Sequence, residues 1–119
     1  MKEVKFYQLE NKSIVALVQG EEAGMTNAKL LAPGAVDAAQ EKHVPALKKD
    51  GSSLIVTVGS VIHPMEEKHH IAFIALATDD GLEIKYLKPG DQPIASFKAP
   101  EHGIVYEFCN LHGLWKTEF

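Results

Sequence analysis

Apolar and polar residues alternate, or β-branched residues gather, in short stretches along this chain, and turn formers interrupt them about every ten residues. Residues 4–9 (VKFYQL) and 14–19 (IVALVQ) read as strands joined through Glu10-Asn11-Lys12-Ser13, with Gly20 to Gly24 ending the second. Residues 27–32 are ambiguous, and Pro33-Gly34 reads as a turn that closes an N-terminal arm. The stretch 35–42 (AVDAAQEK) permits a helix but is too short to stand alone. After Pro45 the β pattern strengthens. Leu54 to Val58 is rich in β-branched residues and stops at Gly59, and His70 to Thr78 is apolar enough to be buried on both faces for part of its length. Asp79-Asp80-Gly81 is a tight turn, after which Leu82, Ile84 and Tyr86 alternate with Glu83 and Lys85, so that one face is wet. Lys88-Pro89-Gly90-Asp91 turns the chain again, 94–99 and 104–108 are strands on either side of Pro100 and Gly103, and Leu114 to Phe119 closes the sheet. The succession predicts an all-β chain, an antiparallel β-sandwich over 35–119 with a short N-terminal β arm over 1–34.

Composition narrows the function classes. A net charge of -4, with no basic stripe, argues against nucleic-acid binding. The apolar run Ile71 to Ala77 is far shorter than the roughly 20 residues a membrane helix needs. No apolar signal region follows Met1-Lys2-Glu3-Val4-Lys5, so the cytoplasm is the expected location. The single cysteine allows no internal disulfide, which agrees with a reducing compartment. That thiol is then buried and inert, reactive, or a metal ligand.

The chemistry concentrates in three stretches. Cys109 lies where a strand runs into a loop, and His112 follows at a spacing that lets both side chains reach one ion from a single turn. Taken singly, Cys109 reads equally well as a small buried hydrophobe. His63 precedes the stiffening Pro64, and His69 stands where the polar loop Glu66-Glu67-Lys68 gives way to an apolar strand; alone, each suits a solvated loop. His43 sits between a charged pair and Pro45. His70 points to the opposite face once the strand has begun, and His102 reads as surface. Together His43, His63, His69, His112 and Cys109 make a mononuclear site. A closed structural zinc site wants four ligands, whereas four imidazoles and a thiolate suit a redox metal with one position open.

These same stretches resemble a known family. The runs EKHVP, HPMEEKHH and CNLHGLWK, together with VDAAQEKHVP, the KDGS turn before VTVGSVIHPM, and LKPGD, are similar to the superoxide reductases, also called desulfoferrodoxins or neelaredoxins, over about residues 35 to 119. The resemblance implies an immunoglobulin-like sandwich and one Fe(2+)/Fe(3+) ion per chain, with His43, His63, His69 and His112 around the iron and Cys109 as axial thiolate. It implies that Lys42 draws superoxide to the iron and that Glu41 can occupy the sixth position of the ferric state. It further implies one-electron reduction of superoxide to hydrogen peroxide, an electron donor such as rubredoxin, and a homo-oligomer, either dimer or tetramer. The arm resembles the start of the family's desulforedoxin-like domain, but every cysteine of that domain is missing, so residues 1–34 read as a remnant without metal ligands. Two other readings stand beside this one: a blue-copper type electron carrier with Met65 as weak axial ligand, and a plain immunoglobulin-like interaction module with incidental histidines.

Overall fold

The alternation and the turn spacing produce ten strands and no α-helix among the described residues, which are 3–22, 25–35, 43–59 and 63–119 of this computed structural model. They are β1 (Lys5–Leu9), β2 (Ile14–Leu17), β3 (Ala28–Leu30), β4 (Pro45–Asp50), β5 (Ser53–Val58), β6 (Ile71–Thr78), β7 (Gly81–Tyr86), β8 (Ile94–Lys98), β9 (Ile104–Cys109) and β10 (Gly113–Glu118). Every strand pairing is antiparallel. The order is β10-β9-β6-β7 in one sheet, β4-β5-β8 in a second and β2-β1-β3 in the N-terminal arm.

Two cores hold these three sheets together. Leu54, Val56 and Val58 of β5 and Ala95 and Phe97 of β8 face Ile71, Ile74, Leu76, Val105 and Cys109, which closes the sandwich. The other face of the four-stranded sheet carries Phe73, Ala75, Ala77, Ile104, Tyr106 and Phe108, and the arm covers it with Phe6. Phe6 lies 5.6 Å from Phe73 and 5.2 Å, edge-on, from Tyr106. The Tyr106 hydroxyl accepts the Val4 N–H, and Lys116 Nζ donates to Glu3 Oε1 at 2.9 Å and Glu118 Oε1 at 3.0 Å. That ammonium holds the Glu3 carboxyl below its ordinary range, but the pair is exposed and contributes little beside Phe6.

The central strands therefore have no wet face. Every residue of β9 is buried, and β6 is buried from Phe73 to Ala77, as the long apolar run predicts. A β-bulge in β6 lets Ile71 pair with Cys109 while Phe73 pairs with Phe108. The extra residue between them turns Ile71 and Ile74 toward the same core, where strict alternation would oppose them.

Some expectations shift. The ambiguous 27–32 contains β3, and the chain after Pro45 forms a full strand, β4. Pro33-Gly34 is not a simple turn: Gly34 bridges β10 in parallel, donating to Leu114 O at 2.9 Å and accepting from Lys116 N at 2.8 Å. A Cβ there would lie 2.6 Å from Trp115 Cε3, so glycine is what lets the indole lie against the backbone. In β7 the apolar set is only partly covered: Leu82 is half-buried against the arm-side core, while Ile84 and Tyr86, on the edge strand of the sheet, are exposed. Of the helix-permissive stretch 35–42, residues 36–42 lie outside the described residues.

Phe6→Ala removes the aromatic anchor of the arm. It is expected to lower stability by about 3–5 kcal/mol, read as a lower urea midpoint, whereas an unchanged midpoint would mean the arm contributes nothing to the sandwich.

Candidate metal centre

All five candidate ligands lie at one end of the sandwich. The start of β4 meets the end of β5 there, Pro45 opposite Val58, and the start of β6 meets the end of β9, Ile71 opposite Cys109. His43 immediately precedes β4, and His63 lies on the segment leaving β5. His69 closes a tight turn with Glu66, whose N–H donates to His69 O at 2.8 Å, and so stands just before β6. Cys109 ends β9, and His112 lies in the loop to β10. That loop closes because Gly113, paired with Cys109, adopts a φ of 86°, which L side chains rarely take.

One ligand atom from each of the five residues lies within 4.8 Å of all the others. His43 Nε2 and His112 Nδ1 are 3.1 Å apart, and Cys109 Sγ is 3.8 Å from the same His112 nitrogen. The first distance suits a hydrogen bond or two neighbouring ligands of one ion; the convergence of three further donors favours the ion. Ligands on opposite sides of a first-row ion lie about 4.0–4.6 Å apart at ordinary bond lengths, so a cluster of this span takes one ion with small adjustment. His63 Nδ1–H donates to Pro64 O at 2.8 Å, which fixes the tautomer and leaves Nε2 as the nitrogen with a lone pair to offer. Cys109, His43 and His63 are buried, His69 is half-buried and His112 is exposed, so the group runs from the interior to the surface.

The remaining expected residues separate cleanly. His70 stays out of the group, its Nδ1–H donating to Glu66 O at 3.0 Å, and His102 is exposed in the turn before β9. Met65 packs against the inter-sheet core and its Sδ accepts the Ile71 N–H at 3.3 Å, so it serves there and does not favour the copper reading. Glu41 and Lys42 lie outside the described residues.

Two side chains with no evident role in the sequence hold the ligand loops. Asn110 Oδ1 accepts from His70 N at 2.9 Å, its Nδ2 donates to Lys68 O at 3.0 Å, and its own N–H donates to His70 O at 3.2 Å. The loop with Cys109 and His112 is thereby tied to the residues on both sides of His69. Trp115 stacks on the His43 ring, 4.9 Å between centroids and 14° between planes, and its Nε1–H donates to His112 O at 3.1 Å. Both residues sit in the CNLHGLWK run, but Asn110 holds Lys68 and His70 and Trp115 stacks on His43, all of them far away in the chain.

The family model described as Desulfoferrodoxin matches residues 35–118. The desulfoferrodoxin of Nitratidesulfovibrio vulgaris is 52% identical over 91 residues, 76% of this chain and 72% of that protein. That of Clostridium acetobutylicum is 45% identical over 109 residues, covering 87% of this chain and 86% of its own. Among solved structures, the superoxide reductase from Treponema pallidum superposes with a TM-score of 0.78 at 29% identity, covering 98% of this chain and 99% of that one. That superposition takes in the arm as well as the sandwich.

Asn110→Ala cuts two of the ties between the ligand loops. Metal affinity, measured by competition with a chelator, is expected to fall by about 10–100-fold with the fold intact; undiminished affinity would mean that the loops hold themselves.

Proposed function

The chain belongs to the desulfoferrodoxin family and is a superoxide reductase with a single iron site, and from that premise we propose that His43, His63, His69, His112 and Cys109 are the ligands. The observation that carries the proposal is the convergence of their five donor atoms within 4.8 Å. When bound, the iron alternates between Fe(II) and Fe(III) and supplies the electron that, with two protons, converts superoxide to hydrogen peroxide without releasing dioxygen.

The residues divide the remaining work. Cys109 presents a thiolate from the buried side, where it raises electron density at the centre. His112, exposed at the rim, supports an approach from solvent for a small anion. Lys42, directly before His43 in the chain, attracts that anion through its local field despite the net charge of -4. Glu41, two positions before His43 in the sequence, would offer a carboxylate to the oxidised ion, and an external one-electron donor, rubredoxin or a similar small carrier, would supply the electron that restores the reduced form. The location we propose is the cytoplasm, supported by a lone cysteine kept as a thiol; no helix of the described residues is long and apolar enough to cross a membrane. Residues 1–34, which contain neither cysteine nor histidine, are a remnant of a desulforedoxin-like domain that now serves as a cover for the sandwich. Ile84 and Tyr86, exposed on the edge strand β7, favour a homo-oligomer.

Ferrous-loaded protein mixed with superoxide is expected to yield one peroxide and one ferric ion for each superoxide consumed, and no oxygen. Cys109→Ser is expected to keep the fold and lose both the visible thiolate-to-iron absorption and the reduction; full activity in this variant would reject the thiolate ligand. Lys42→Ala is expected to slow the second-order step and flatten its dependence on ionic strength, and an unchanged salt dependence removes the steering role. Sedimentation that gives a monomer at every concentration would end the oligomer proposal.

A further inference from the structure

We propose that Trp115 is a positioning residue of the metal centre: its ring sets the orientation of His43 while its N–H fixes the loop that carries His112. The inference rests on the reading of the five donors as the iron site. An imidazole on a segment entering a strand can still turn about its side-chain bonds, so Nε2 faces the other donors only if something holds the ring plane. The nearly parallel stack on Trp115, 4.9 Å and 14°, does so from one side. The rings of His63 and His112 meet His43 edge-on at 4.8 and 4.7 Å. The indole N–H then anchors His112 O at 3.1 Å, so one side chain constrains two ligands that are 69 positions apart.

The indole is itself braced. Its backbone pairs with Glu107 on β9 and bridges Gly34 on the other edge. Its six-membered ring occupies the space that a Cβ on Gly34 would invade, at 2.6 Å from Cε3 and 2.7 Å from Cζ3. The end of the arm thus takes part in the site through a glycine. Trp115 is also the only tryptophan in the chain, so its emission reports on this one contact.

The test titrates the metal-free full chain with zinc(II) alone, whose filled d shell takes no part in redox chemistry, reading emission and competition with a coloured chelator. Wild-type emission is expected to change in step with zinc and level off at one ion per chain. Trp115→Leu is expected to bind zinc about 10–100-fold more weakly. Trp115→Phe, which keeps a ring on His43 and gives up only the N–H, is expected to lose about fivefold, the worth of one ordinary hydrogen bond. Gly34→Ala keeps the tryptophan but displaces it, so altered metal-free emission together with weaker binding is expected, and this variant decides the matter should Trp115→Leu fail to fold. Emission that stays constant while the chelator reports bound zinc, or leucine and alanine variants that bind as tightly as wild type, would overturn the positioning role and leave the five-ligand site standing. A wild-type chain that binds no zinc would bring down the site and the clamp together.

Discussion

A thiol and four imidazoles from five places in a chain come within a few ångströms of one another only when the backbone beneath them has no freedom to drift. Here that constraint is the pairing of β6 with β9. Both strands lie inside the four-stranded sheet, hydrogen-bonded along both edges, with one apolar core on each face. With a close-packed core on each face, a slip of register would misfit side chains against both cores at once, so shape rather than polarity pins the strands. Cys109 is the end of this arrangement, and Ile71 opposite it launches the segment that carries His69. The second sheet adds His43 and His63 at the same end because Pro45 and Val58 are partners there.

On this base the ligand loops are held by residues that are not ligands. Asn110 links the β9–β10 loop to the residues around His69, and Trp115 links that loop to His43. Thr117 Oγ1 donates to Pro45 O at 2.7 Å, which ties β10 to the start of β4 just beyond His43. The site is thus spanned by contacts between the two sheets of the sandwich, and a redox ion gains from such rigidity because its ligands need move little between oxidation states.

Much of this could be read along the chain. The strands around Val56, Leu76 and Val105 were legible because β-branched and apolar residues gathered between Gly and Pro punctuation. The ligands were legible because few histidines cluster by chance beside prolines, and because the motifs containing them resemble a known family. The arrangement of β7 was not: Leu82, Ile84 and Tyr86 alternate as a buried face would, but only Leu82 meets the arm-side core, while Ile84 and Tyr86 stand exposed on the edge strand. Gly34 looked like a turn because glycine next to proline usually is one, whereas its use here is close approach to Trp115. The bulge between Ile71 and Phe73 leaves no mark in the hydrophobic pattern, since both neighbouring cores want apolar residues. Asn110 and Trp115 act through partners that only the folded chain supplies.

The depth gradient across the cluster has a consequence for demetallation. Cys109 belongs to a strand that opens only with the whole sandwich, while His112 is on a solvent-facing loop. An ion leaving this site would lose His112 at the rim first and the three buried donors, His43, His63 and Cys109, only later, the sulfur being held by the strand least able to open alone.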